Sequence, residues 1–396
     1  MRYLLFILFL ILLPISEGRA ARVPGAAVFV KLTSAAENAR SDVYEQRLDG
    51  GPARLLISHS ALPQSFRGRI ERALPSRDGA LILLQESDGG CWLWSRRTGT
   101  VSRIMLSGFK SGSRELEPLE WSPRGNLLLM RVSNERKTPA AKHLSESLCV
   151  LDAVTGRMRT IHTTRPYDTL LARWTSDGTA VLVVGEREDE ESSLELLSLT
   201  GKVQRLFVLQ NGTFNVAISP DGRQVAIGDT GGYFLFDRNG RARRQLALPV
   251  IGDKPWPEDK HALGDMAFSH DGNTLAALVS FWYGHGEGRS VHEEIWTVQT
   301  KTAEARRLAQ WNAGWAGDDD IHELLSWTPD QSGLILMSQN QASSGPESDY
   351  RKLWLQPVNP AQPARLLANT GPRGIDMSWW GGLPTPADRG QRGKAK

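Results

Sequence analysis

The stretch Ile218-Ser219-Pro220-Asp221-Gly222, followed by the apolar run Val225-Ala226-Ile227, dictates a local conformation before any tertiary contact is considered. Proline presets φ near about −65° at the second turn position, aspartate bonds nearby backbone, and glycine accepts positive φ at the close. A strand enters, reverses tightly and leaves. The signal recurs at Leu74-Pro75-Ser76-Arg77-Asp78-Gly79, Trp121-Ser122-Pro123-Arg124-Gly125, Trp174-Thr175-Ser176-Asp177-Gly178 and Phe268-Ser269-His270-Asp271-Gly272. A sixth copy, Trp327-Thr328-Pro329-Asp330, has its glycine delayed to Gly333. Successive glycines stand 46, 53, 44, 50 and 61 residues apart. A period of about 40–50 residues with strand-like content predicts one four-stranded blade per repeat, hence an all-β propeller rather than a helical solenoid.

A chain of 396 residues could hold two ordinary domains, yet seven repeats of about 50 residues use nearly all of it in one closed unit. Ala27 to Leu32, Val43 to Leu48 and Ala53 to Ser58 read as three strands with no entry strand before them. The missing strand has its pattern at Ile375-Asp376-Met377-Ser378-Trp379-Trp380-Gly381-Gly382, after which nothing strand-like follows. Pairing the two ends completes a seventh blade and removes the open edges of a linear array. The expected propeller spans 26–382. Residues 383–396, rich in Pro, Gly and Lys, are expected to form a disordered basic tail.

Each repeat follows one grammar. An aromatic precedes the turn, a short apolar strand follows, and a third strand ends near Asp. Examples of the third strand are Cys91-Trp92-Leu93-Trp94, Leu148-Cys149-Val150-Leu151-Asp152 and Tyr233-Phe234-Leu235-Phe236. Hairpins at Thr98-Gly99, Thr155-Gly156, Thr200-Gly201 and Asn239-Gly240 lead into a return strand. This grammar resembles the WD40-like PD40 repeats of the TolB family of β-propellers, over roughly residues 26–382. The resemblance is to the propeller alone, without the α/β domain that precedes it in TolB, and it implies a closed ring with a binding role at the cell envelope.

Met1-Arg2 gives a positive start, Tyr3 to Ile15 an apolar stretch of 13 residues, and Gly18-Arg19-Ala20 a small-x-small site. This pattern predicts a signal peptide over 1–20, too short to span a bilayer, and a mature chain in the periplasm or outside the cell with no membrane span. The net charge of +3 comes from interspersed charges of both signs. That argues against nucleic acid, whose binders gather Lys and Arg on one face. The two cysteines, Cys91 and Cys149, fall at similar places in successive repeats. Equivalent strands of neighbouring blades lie beyond the roughly 7 Å reach of a disulfide, so two buried free thiols are expected.

First-to-second turns and third-to-fourth hairpins read as tight, whereas second-to-third and blade-to-blade connections read as long; in repeat three, for example, a polar loop runs to about Glu146. The two long classes share one face of a propeller, where binding usually resides. Elaboration is greatest around repeat six, whose loops carry Trp256, Trp282, Tyr283, His285, Arg289, His292, Trp311 and Trp315. Aromatics and Arg are enriched at protein-binding hot spots, so these eight are the expected partner-binding residues. His285, His292 and His322 with Asp318 to Asp320 offer ligand atoms for Zn²⁺ or Ca²⁺ but no compact spacing, since His292-Glu293-Glu294-Ile295-Trp296 lacks the second histidine of a zincin helix. No metal and no cofactor is assigned. No G-x-S-x-G elbow, phosphate loop or CxxC is present, and no catalytic residue is assigned. The leading expectation is an exported, non-enzymatic, monomeric binding module with a protein partner in the cell envelope. The competing one is a lactonase- or dehydrogenase-like propeller enzyme acting on a small molecule in the central funnel, with or without Ca²⁺.

Overall fold

The computed structural model describes residues 25–380 apart from 34–39, 49–50, 105–113, 139–140, 165–170, 176, 188–189, 209–214, 230–231, 238–243, 247, 249–260, 284–289, 315–319, 329, 341–350 and 372–373. The expected signal peptide and basic tail lie outside these residues. Among the described residues, twenty-eight strands form seven four-stranded antiparallel sheets. Blade 1 takes β1 (Ala26–Leu32), β2 (Ser41–Arg47) and β3 (Arg54–Ile57). Blade 2 is β4 (Ile70–Pro75), β5 (Leu81–Glu86), β6 (Cys91–Ser95) and β7 (Val101–Arg103). Blade 3 is β8 (Arg114–Trp121), β9 (Leu127–Thr138), β10 (Ala141–Asp152) and β11 (Arg157–Thr164). Blade 4 is β12 (Leu171–Trp174), β13 (Ala180–Arg187), β14 (Glu190–Ser198) and β15 (Val203–Val208). Blade 5 is β16 (Asn215–Ile218), β17 (Gln224–Asp229), β18 (Gly232–Asp237) and β19 (Arg244–Gln245). Blade 6 is β20 (His261–Phe268), β21 (Thr274–Tyr283), β22 (Ser290–Gln299) and β23 (Ala305–Gly314). Blade 7 is β24 (Asp320–Trp327), β25 (Gly333–Asn340), β26 (Arg351–Pro357) and β27 (Arg365–Asn369). The last strand, β28 (Gly374–Trp380), returns to blade 1.

Blade 1 has the order β28-β1-β2-β3, with Ala26 opposite Trp380 and Val30 opposite Asp376. The ring therefore closes by a strand from each end of the chain, as the repeat pattern predicts. The core agrees with a closed ring. Among the described residues seven apolar clusters occur, one at each junction between neighbouring blades, including one that joins Ile335 and Leu353 of blade 7 to Phe29 and Met377 of blade 1. Second strands are covered on both sides, which is why they read as continuous apolar runs. In β9, Leu128 and Met130 pack toward blade 2 while Leu129 packs toward blade 4.

The entry turns hold themselves together through a side-chain clasp. In blade 5 the Ser219 hydroxyl donates to Asp221 Oδ1 (2.7 Å) and accepts from Gln224 N (2.9 Å), while the same carboxylate accepts from Arg223 N (3.0 Å). Ser76 with Asp78, Thr175 with Asp177, Ser269 with Asp271 and Thr328 with Asp330 repeat it. Blade 3 has Arg124 in place of the aspartate, and its Gly125 opens to φ 114°, against 62–72° at Gly79, Gly178, Gly222 and Gly272. In blade 7 the structure corrects the expectation of a delayed glycine: Gln331 itself takes the position, at φ 60°.

Tryptophan before the turn joins blades. The indole N–H of Trp121 donates to Leu74 O (3.1 Å), that of Trp174 to Glu120 O (3.0 Å) and that of Trp327 to Ala267 O (2.8 Å), each on the preceding blade. Cys91 and Cys149 are free and buried in the cluster between blades 2 and 3. Burial pushes the Cys91 thiol up to about 12, so it is held as an unreactive thiol. No helix among the described residues is long and apolar enough to cross a membrane.

One expectation about connections needs correction. The supposed polar loop of repeat three is strand, because β9 and β10 run as a paired ladder from Leu127 opposite Asp152 to Thr138 opposite Ala141. In blade 2 the second-to-third connection is short, from Glu86 to Cys91, whereas in blades 1, 6 and 7 the residues between these strands lie largely or wholly outside the described ones. The outer segments of β9 and β10 mix charged and polar residues without an apolar run, and so carry no periodicity that reads as strand.

Candidate functional site

The blades differ most at the end of the ring that carries the second-to-third hairpins. Blade 5 has middle strands of six residues, whereas β21, β22 and β23 each have ten, and β9 and β10 have twelve. Blades 3 and 6 thus supply the longest middle strands, and their hairpins, Leu127 to Asp152 and Thr274 to Gln299, are each 26 residues long.

Of the expected partner-binding residues, Trp256, His285, Arg289 and Trp315 lie outside the described residues. Trp282 and Tyr283 belong to strand β21 rather than a loop, opposite Val291 and Ser290. Successive strand positions alternate between the two faces of a sheet, so these two aromatic positions fall on opposite faces. His292 and Trp311 are also strand residues. Trp311 lies opposite Glu293, is half-buried and packs against the cluster between blades 6 and 7.

His292 belongs to a side-chain cluster around Glu294. The Glu294 carboxylate accepts from His292 Nε2 (3.2 Å), Trp296 Nε1 (2.8 Å) and Arg307 Nη1 (2.8 Å). Burial alone would raise its carboxyl, but these donors outweigh it and hold it below the usual range. Among the described residues no three His, Cys, Asp or Glu side chains gather as metal ligands.

A second candidate site lies along the first strands of blades 3 to 6, at positions that the repeat grammar does not single out. When the repeats are aligned on the turn hydroxyl, the residue two positions earlier is Leu74, Glu120, Arg173, Ala217, Ala267 or Ser326. The neighbouring positions, such as Ala172, Trp174, Val216, Met266 and Phe268, are buried between blades, leaving this one more exposed. Charge occurs there in two adjacent blades only, and alanine follows in the next two. The small residues leave a cavity of about 220 Å³, lined by Glu120, Arg173 and Trp174 on one side and Val216 to Ile218 and Met266 to Phe268 on the other. Pro123 and Pro220 at its rim place it at the turn end of these strands.

Glu120 accepts from the Trp174 backbone N–H (3.0 Å). Burial raises its carboxyl above the ordinary value, against the pull of Arg173 and of that N–H. Nearer the other end, Asp376 accepts from Ala73 N (3.0 Å) of the next blade. It too is raised by burial, against that bond and the charges of Arg72 and Arg351.

No family model and no curated protein matches the chain. Among solved structures it is similar to an oligogalacturonate lyase from Vibrio parahaemolyticus, at 12% identity and a TM-score of 0.50 over 88% of this chain and 90% of that one. It is similar also to TolB from Acinetobacter baumannii, at 17% identity and a TM-score of 0.40, covering 75% of this chain and 65% of that one, so it spans less than two thirds of that protein's length. An oligogalacturonate lyase in complex with manganese matches at 14% identity and a TM-score of 0.48, over 83% of each chain. At such identities the likeness to the Vibrio structure speaks for the propeller fold alone, in agreement with the seven closed sheets.

Proposed function

We propose that the chain is an exported, monomeric binding module, and that a protein partner in the periplasm or cell envelope docks on the face formed by the long hairpins of blades 3 and 6. The observation that carries this reading is the lengthening of β21, β22 and β23 to ten residues in blade 6, against middle strands of six in blade 5. Ring closure needs only the shorter strands, and the added length bears Trp282 and Tyr283. Rigid aromatics on a fixed scaffold are the residue types that dominate protein interfaces. Trp256, His285, Arg289, His292 and Trp315 would complete the contact, with Trp311 supporting it from the core side. The start of the chain, with its charged, apolar and small-residue segments, supports export.

The test uses a photo-crosslinking amino acid at position 282 and, as a control at the opposite end of the ring, at Val154, which is 69% exposed in the hairpin between β10 and β11. Illumination in intact cells should give a discrete adduct from 282 only. Adducts from both positions alike, or from neither, would refute the docking face.

A further inference from the structure

We propose that the cavity at the turn end of the first strands of blades 3 to 6 binds a small apolar monocarboxylate, held by the Arg173 guanidinium. Arg173 is exposed there and, among the described residues, makes neither a hydrogen bond nor an ion pair. Its neighbour Glu120 accepts from the Trp174 N–H and feels the Arg173 charge, but no hydrogen bond or ion pair joins the two side chains. The facing wall is apolar and consists of Val216, Ala217, Ile218, Met266, Ala267 and Phe268. A guanidinium offers a planar fork that matches a carboxylate bidentately, and it does so more strongly where water is displaced by apolar wall. Such a cavity is complementary to a ligand with an anionic head and a short apolar body.

Size narrows the class. The cavity of about 220 Å³ equals about seven times the volume of a water in the liquid. A short aryl- or alkyl-alkanoate fits within that space. Charge narrows it further, since an ionised Glu120 opposes an anion beside Arg173. The site lies at the end of the ring opposite the long hairpins, so the proposal does not depend on the protein-docking reading.

Calorimetric titration of the full chain with 3-phenylpropionate and with 3-phenylpropanol tests it, with a thermal melt of each variant to verify folding. The wild type should bind the acid about tenfold more tightly than the alcohol. Arg173→Gln should abolish that preference, Glu120→Gln should tighten the acid several-fold without affecting the alcohol, and Ala217→Leu should exclude both by filling the cavity. Equal affinity for acid and alcohol, no binding of the acid by the wild type, or an acid preference that survives in Arg173→Gln would overturn the assignment. Should Arg173→Gln fail to fold, the acid-to-alcohol comparison on the wild type and the Ala217→Leu titration decide it.

Discussion

Gln331 and Gly222 occupy the same place in equivalent turns, at φ 60° and 68°, and each donates its N–H to the carbonyl three residues back, on Thr328 and Ser219. Glycine adopts that conformation freely, whereas a Cβ there costs about 1 kcal/mol. Gln331→Gly should therefore raise stability by about 1 kcal/mol, a gain of roughly 1–3 °C in Tm. Gln331→Val should lower it. Ala303, at φ 59° in the blade 6 hairpin where other blades have Gly99, Gly156 and Gly201, should respond to Ala303→Gly in the same direction. Thermal melts of the two glycine variants check this, and an unchanged or lower midpoint would refute local strain at these turns.

The indole staples give a graded series. Trp174 and Trp327 are each 3% exposed, so truncation to alanine should cost about 3–5 kcal/mol. Trp327→Phe keeps most of the ring but leaves the Ala267 carbonyl without its donor, at a cost of about 1–3 kcal/mol. Urea unfolding midpoints at constant m would order the variants as wild type, Trp327→Phe, Trp327→Ala. A phenylalanine variant equal to wild type would show that the bond contributes nothing net.

Ring closure predicts that removal of residues 375–382 unfolds or aggregates the protein. The deletion takes away the strand partner of Val28 and Phe29 and the Met377 side chain from the cluster between blades 7 and 1. It also deprives the Ala73 N–H of its acceptor. A truncated chain that melts like the full-length protein would contradict this account.

Stability should respond to pH in two opposed ways. At Asp221 burial alone would raise the carboxyl, but the Ser219 hydroxyl, the Arg223 N–H and the Arg223 charge outweigh it and hold it low. Asp177, Asp271 and Asp330 are also held low. A depressed folded value means stability present above the unfolded carboxylate range and lost as pH falls through the folded one. Asp221→Asn should flatten that acid loss. Asp376 and Glu120 are raised, so their contribution is full below the unfolded value and is lost as pH rises through the folded one. Asp376→Asn should accordingly gain on the wild type as pH rises from about 4 toward 7. Chemical denaturation across that range measures both, and a wild-type-minus-variant difference that runs the other way would refute the assignments.

What could be read from the residues alone follows from what is local. Pro, Asp and Gly at fixed offsets specify a turn without reference to the rest of the chain, and the orphaned strands at the two ends specify closure. The turn of blade 7 departs from the expected delay to Gly333 because the Thr328–Asp330 clasp holds the same geometry with the Cβ of Gln331 present. The long hairpin of blade 3 was misread as a loop because its outer residues show no apolar alternation. The Glu120 and Arg173 pair was legible in principle: both stand immediately before a tryptophan at the turn, but a residue's place on the cavity wall emerges only when repeats are superposed rather than read in succession.

The pairing of Ala26 with Trp380 carries a consequence for the order of events during synthesis. Strand β1 must wait for β28, about 350 residues later, and contacts of such separation form slowly. Until Gly374 to Trp380 emerges, β1 presents an unpaired apolar edge that other chains can template upon. A nascent molecule is therefore most vulnerable to aggregation in the interval between the emergence of β1 and that of β28.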